Sequence, residues 1–400
     1  MTNRSAPPNP LRCFAVTAPG LEAITAAELV SLGVPRRAMA VEMGGVAWTG
    51  DQGMLQAANL HLRSASRVLV RVAEFRATAF WELERRARPL PWEGWIGEGA
   101  AIQVRATCRK SKLYHSDAVA ERVAEAIARR VRGATVVRAA GDDDEHEAED
   151  EGASQLVVAR LARDQLLLSV DASGELLHRR GYRQAVAKAP LRETIAAAML
   201  LAVGWSGGEA LLDPMCGSGT LAIEAALLAR RIAPGLARAE RGAFAFLRWP
   251  MVDRGRWSAL VAEAQGAVRP RAEVPIVAAD RDAGAVEATR SNAERAGVLH
   301  DLTVERRPVS ATTPPADRGW LVANPPYGVR VGEEAAVRDL WARVGQLARE
   351  VLPGWGVALL SPHAALDGAT GLALEERFRT QNGGIAVRLM AARAAGGSPV

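Results

Sequence analysis

Leu211–Ala222 reads LLDPMCGSGTLA, and this stretch decides the fold. Apolar Ala210–Leu212 read as a buried parallel strand, Asp213–Gly219 as a tight turn, and Thr220–Arg230 as a helix with an Ala/Leu/Ile/Glu face. Gly217 and Gly219 let the backbone approach a ligand and adopt positive φ, while unpaired N–H groups at the helix start face the same space.

Such a turn has several readings. A phosphate loop needs GK[ST] after its glycines, whereas Gly219 is followed by Thr220 and Leu221. A dinucleotide fingerprint fits GxGxxA from Gly217 to Ala222, but no suitable acid follows about 20 residues later. Asp280, ending the next apolar strand PIVAAD, comes too late for that spacing unless 231–271 is an insertion. An S-adenosylmethionine site uses a carboxylate at the end of the second strand for the ribose hydroxyls, and a turn serving packing alone is the plain alternative.

A second motif, NPPYG at Asn324–Gly328, follows the apolar run Trp320–Ala323. Two prolines fix φ twice and remove two donors, so the turn presents carbonyl acceptors. Asn324 adds a side-chain amide and Tyr327 an aromatic face, a set suited to a planar heterocycle bearing an exocyclic amine.

With DPMCGSGT and NPPYG in this order, the chain resembles the class I S-adenosylmethionine-dependent methyltransferases that act on amino groups. More narrowly it resembles the bacterial THUMP-domain RNA guanine-N2 methyltransferases, the group that includes the amino-terminal half of the large-subunit rRNA enzyme RlmL. Further carriers are KSKLYHSDAVAERV (Lys110–Val123), SGELLHRRGYR (Ser173–Arg183), APLRETIAAAMLLAVGW (Ala189–Trp205) and QNGGIAVRLM (Gln381–Met390), so the resemblance covers roughly 11–392. It implies methylation of guanosine N2 in RNA, with 23S rRNA first, tRNA as the alternative, and N6-adenine methylation further off.

For the cofactor, S-adenosyl-L-methionine, the resemblance implies contacts from Pro190, from Asp213, Pro214, Cys216, Gly217, Gly219 and Thr220, and from Asp280, Arg281, Ser310 and Asn324. Asp213 orders the glycine loop and approaches the sulfonium end. Asp280 ends its strand and suits ribose, whereas Asp282 suits the N-cap of the next helix. The family places an acid after the third strand for the adenine amine; here the chain reads RRPVSATTPP, with Ser310 as the substitute. Catalytic positions are Asn324, Pro325, Pro326 and Tyr327. The Asn324 oxygen and Pro325 carbonyl accept from the target amine, and Tyr327 stacks on the base, worth about 1–3 kcal/mol. Cys216 invites a covalent reading, but it lies in the cofactor loop and the target motif has no cysteine.

The chain has 400 residues, 49% hydrophobic, enough for two or three domains. Its three cysteines are far apart, so neither a disulfide framework nor a metal site is expected. No apolar run is long enough to span a bilayer and the first ten residues lack a signal-peptide core, so a cytoplasmic protein is expected. Gly141–Gly152 carries eight acids and no Lys or Arg; without those eight acids the net charge of +5 becomes +13, which favours contact with nucleic acid. Only Lys110, Lys112 and Lys188 are lysines, so compositional bias toward arginine is the bland explanation.

The expected architecture is α/β: a carboxy-terminal Rossmann-like class I methyltransferase domain with a largely parallel doubly wound sheet, preceded by α+β ferredoxin-like and THUMP domains. Boundaries are expected at 1–66 (ferredoxin-like), 67–172 (THUMP), 173–188 (linker) and 189–400 (methyltransferase). Arg109, Lys110, Lys112, Tyr114 and His115 place cations and aromatics on one loop, and with Arg183 form the expected RNA-binding set; a solvated charged loop is the alternative. Ser116 is expected to cap the helix after that loop, and Pro190 to open the helix Leu191–Val203. The acidic run reads as an insertion between strands.

Overall fold

The computed structural model describes residues 10–137, 154–184, 191–327 and 334–393. Two compact units emerge, and neither is continuous in sequence. One runs to Val16 and through Ala26–Leu177 and Arg238–Ala262; the other comprises Thr17–Thr25, His178–Ala237 and the chain from Glu263 onward.

In the first unit, β1 (Leu11–Thr17), β2 (Met39–Glu42), β3 (Gly45–Gly50), β4 (Ala65–Arg76), β5 (Ala101–Arg109), β6 (Thr135–Val136), β7 (Gln155–Ala162) and β8 (Gln165–Asp171) form one sheet in the order β2-β3-β1-β4-β8-β7-β5-β6. The strands expected for a ferredoxin-like and a THUMP module are thus hydrogen-bonded into a single sheet. Among its helices are α1 (Glu22–Ser31), α2 (Gln52–His61), α3 (Phe80–Ala87) and α4 (Ser116–Ala128). Asp51 caps α2 through Met54 N, at 2.9 Å. The expected cap at Ser116 is corrected: Ser116 is already helical and His115 is the N-cap, with no side-chain cap bond. The turn between β7 and β8 is two residues long, Arg163 and Asp164, both at positive φ (51° and 64°), the conformation that keeps the twist of the two strands.

The insertion anticipated at 231–271 supplies Arg238–Ala262 to this same unit. Its aromatic side chains explain why. Phe246 and Trp257 meet edge to face with centroids 5.0 Å apart, Trp249 meets Trp95 in the same manner at 4.9 Å, and the Trp249 indole donates to Gln155 Oε1 at 2.9 Å.

The second unit contains β9 (Ala210–Asp213), β10 (Ile276–Asp280), β11 (Leu302–Arg306), β12 (Gly319–Ala323), β13 (Gly356–Ser361), β14 (Glu375–Asn382) and β15 (Ile385–Ala392), in the order β11-β10-β9-β12-β13-β15-β14. The first five in that order are parallel, and β15 runs antiparallel to both neighbours. Strand alternation sorts the core onto two faces. Leu211, Ala278, Val322, Ala358 and Leu389 pack with α5 (Glu193–Ala202) and α6 (Thr220–Ala229), while Leu212, Val277, Leu321, Val357 and Leu359 pack against Trp341, Val344 and Leu347. The doubly wound sheet is as expected. Because the chain reverses its direction of strand addition at β9, the neighbours of β9 are β10 on one side and β12 on the other, and this is the switch point where such sheets bind ligands.

Candidate active site

Strand ends bring the separately encoded loops together. Leu212 of β9 is paired with Val277 of β10 and with Leu321 of β12, all parallel, so Asp213, Asp280 and Asn324 emerge on one carboxyl edge.

The cofactor loop is held from behind. Asp213 is buried and its carboxylate accepts the Met215 N–H at 3.2 Å. Cys216 N donates to Ala279 O of β10 at 3.0 Å, and Gly217 N donates to Asp280 Oδ2 at 3.1 Å. From the helix Ala283–Arg295, the Thr289 hydroxyl donates to Gly217 O and the Asn292 amide to Ser218 O, each at 2.9 Å. Gly219 stands at φ +83°, and a Cβ there would lie 2.7 Å from Thr289 Cγ2, so its place in the sequence has a steric reason. A Cβ on Gly217, by contrast, would meet nothing, so this glycine borders open space at the start of α6. Donor-rich backbone, an acid at the second strand end and that opening fit an adenosyl group with a cationic sulfur.

Each Asp280 oxygen accepts one N–H, from Gly217 and from Asp282 (2.9 Å), and keeps a lone pair for a hydroxyl. Asp282 instead caps its helix through Ala285 N at 2.9 Å. Burial, then the neighbouring Asp280 charge, push the Asp213 carboxyl up to about 8, against the pull of the Met215 N–H. Burial likewise raises the Cys216 thiol, which keeps it protonated and unsuited to nucleophilic attack. Pro214 and Thr220 are buried; Arg281 and Ser310 are exposed; Pro190 and Gly328 lie outside the described residues, as does the acidic run.

The target loop is held differently. Pro325 is buried and Pro326 exposed. The Pro326 carbonyl, one of the acceptors the turn was expected to present, has a local donor: it accepts the Trp341 indole N–H at 3.5 Å. Tyr327 is half-buried against the core and its hydroxyl donates to Asn324 Oδ1, so its ring is packed inward where the sequence suggested an open stacking face. A cavity of about 190 Å³ at Pro362, His363, Arg379 and Arg388 shares no residue with either loop, and both its arginines are paired, with Glu376 and Asp367.

Arg183, expected among the RNA contacts, is half-buried and paired within its own unit. Its guanidinium donates to Leu191 O at 2.9 Å and lies 3.1 Å from Glu193, whose carboxyl burial pushes up to about 7. Tyr182 donates to buried Glu224 at 3.0 Å, and Arg295 donates to Tyr182 O at 2.8 Å. In the first unit, Arg109, Lys110, Lys112, Tyr114 and His115 are all exposed on one loop, with the Tyr114 and His115 rings 4.1 Å apart. That loop is tied to the β7–β8 turn, since Lys112 N donates to Asp164 Oδ1 at 2.8 Å and Arg163 N to Arg109 O at 3.0 Å. The turn adds Arg163 to the basic loop. Sequence reading missed it, as it missed Thr289 and Asn292; in each case a helix or hairpin reading gives the face but not the contact partner.

Three family descriptions match in chain order: the RlmL ferredoxin-like domain over 12–69, the THUMP domain over 77–142, and the RMKL-like methyltransferase domain over 180–391. A relative from Synechocystis, the putative RNA methyltransferase slr0064, is 34% identical over 94% of this chain and 95% of its own. A ribosomal RNA large subunit methyltransferase K/L from Syntrophotalea carbinolica is 36% identical over 95% of this chain, which spans about half, 53%, of that relative's length. The crystal structure of SMU.472, a putative methyltransferase complexed with S-adenosylhomocysteine, matches with TM-score 0.83 and 28% identity, covering 97% of this chain and 99% of that one. S-adenosylmethionine is accordingly the cofactor. With strand order, loop geometry and these similarities in agreement, the chain belongs to the RMKL-like methyltransferase family, carrying an RlmL-type ferredoxin-like domain and a THUMP domain ahead of the catalytic fold.

Proposed function

We propose that this protein methylates RNA, and specifically the exocyclic N2 of a guanosine in large-subunit ribosomal RNA. Methylation of RNA is supported by the THUMP domain and by relatives named as RNA methyltransferases. The observation that carries the finer reading is the side-by-side emergence of Asp213 and Asn324 from paired strands.

Bound S-adenosylmethionine supplies an electrophilic methyl group. The chain's own residues do the rest by positioning. The guanine N2 lone pair is delocalised into the ring; N–H bonds accepted by Asn324 Oδ1 and the Pro325 carbonyl draw that nitrogen toward tetrahedral geometry and expose its lone pair. Asn324 is no base, so the surplus proton leaves to water after transfer, and the rate comes from orientation and charge stabilisation. A base inside a duplex must first be flipped out. Exposed Arg109, Lys110, Lys112 and Arg163 supply phosphate contacts that carry no sequence information.

Purified protein with tritiated S-adenosylmethionine, offered 23S rRNA, tRNA, DNA and protein in parallel, is expected to label rRNA. Label on tRNA would move the substrate to tRNA; label confined to DNA or protein would overturn the reading. Asn324→Ala is expected to keep S-adenosylhomocysteine affinity while transfer falls by about 10²–10³. Equal turnover by that variant would remove Asn324 from its assigned role.

A further inference from the structure

The QNGG stretch ends a strand whose position in the sheet gives it a use. β14 runs parallel to β13, so Asn382 arrives on the same carboxyl edge as Asn324. Ser361, the last residue of β13, pairs with Arg388, whereas Asn382 pairs with Ile385, so the hairpin extends three residues, about 10 Å, past the end of β13. Gly383 and Gly384, at φ 56° and 79°, close it in two residues.

Asn382 is 4% exposed, and its side chain hydrogen-bonds the Tyr327 hydroxyl. Its Oδ1 is buried and, among the described residues, has no hydrogen-bond partner. The same Tyr327 hydroxyl donates to Asn324 Oδ1, the atom assigned to the target amine. Tyrosine and substrate therefore compete for one acceptor. When the amine takes it, the half-buried hydroxyl needs another, since a buried donor without one is costly. The terminal amide of asparagine is two-fold about its last torsion, so turning it puts Oδ1 where Nδ2 stands.

We propose that Asn382 is a positioning residue that receives the Tyr327 hydroxyl and thereby releases Asn324 for the methyl-accepting amine. The site is thus closed on itself at rest and opened by exchange of one hydrogen bond. This rests on the reading of Asn324 as the amine acceptor. The two stand apart experimentally: loss of transfer in Asn324→Ala tests that reading, and the Asn382 variants test this one.

The test is a double-mutant cycle on the full chain, with tritium transfer to rRNA and S-adenosylhomocysteine binding as readouts. Asn382→Ala is expected to lower kcat/KM for RNA about tenfold, the worth of one hydrogen bond, with S-adenosylhomocysteine affinity unchanged. In a Tyr327→Phe background, whatever that change costs by itself, Asn382→Ala is expected to add almost nothing, because the hydroxyl it serves is gone. Equal losses in both backgrounds, or no loss in either, overturn the proposal. Asn382→Asp keeps an acceptor at the same atom and is expected to retain most of the activity. If Asn382→Asp loses as much as the alanine variant, or loses most of the activity where the alanine variant fails to fold, the proposal falls.

Discussion

Two loops leave neighbouring strands on the same edge, and they are built in opposite ways. The cofactor loop is bolted: Asp280 takes Gly217 N–H, Thr289 holds Gly217 O, and Asn292 holds Ser218 O. These partners lie on β10 and the helix after it. The target loop is latched to itself, since Tyr327 occupies Asn324. On the proposed function, a methyl donor common to every turnover rewards a preformed cradle, and the target base meets an acceptor that Tyr327 covers until it comes. Rigidity belongs to the part that is reused, and exchangeable contacts to the part that discriminates.

The largest effect that would sharpen this contrast is on the bolted side. Gly219→Ala forces a side chain into a left-handed conformation and against Thr289, and S-adenosylhomocysteine affinity is expected to fall about 30- to 100-fold by calorimetry. Unchanged affinity would mean the loop tolerates movement that its contacts forbid. Asn292→Ala removes one bolt and is expected to cost about five- to tenfold in the same measurement, with transfer at saturating cofactor nearly unchanged. A loss confined to transfer would break the division between the loops.

A smaller effect concerns charge. The Asp213 carboxyl, pushed up to about 8 by burial and by Asp280, carries a proton at neutral pH when no ligand is bound. A sulfonium beside it favours the carboxylate, so binding S-adenosylmethionine expels that proton. Affinity should weaken as pH falls below about 8, by at most about tenfold per pH unit, while S-adenosylhomocysteine, with a neutral sulfur, changes less. A ratio of the two affinities that is flat between pH 6.5 and 9 would place the sulfonium away from Asp213. The same shift makes folding without the ligand less favourable as pH rises from about 4 to about 8, where the group is ionised only in the unfolded chain, with no further change above about 8.

What the sequence discloses follows from how local each signal is. Strands 302–306, 319–323 and 356–361 are readable to the residue because they are short apolar or alternating runs bounded by turn residues. DPMCGSGT and NPPY are legible because glycines, prolines and acids at strand ends have few other uses. The 238–262 segment is legible only as an interruption, since its placement depends on Trp249 finding Trp95 and Gln155 more than ninety residues away. Arg183 illustrates the converse: a cation in a polar stretch reads as an RNA contact, and its partner Glu193 is not legible from the stretch itself. Tyr327 stands out in the sequence, but no local pattern reveals that its hydroxyl closes onto Asn324 or that Asn382 lies next to it. Strand β14 was missed because its alternation, with only Phe378, Thr380 and Asn382 turned inward, carries one apolar residue.

The central claim is that the edge shared by β9 and β12 delivers a methyl group to an aromatic amine of RNA held by Asn324. The most direct measurement is the identity of the modified nucleoside: rRNA methylated by the purified protein, digested to nucleosides and resolved by mass spectrometry. N2-methylguanosine, absent when Asn324→Ala replaces the wild type, is the expected product. N6-methyladenosine, a ring-carbon or ribose methylation, or an unchanged yield from the variant would contradict it.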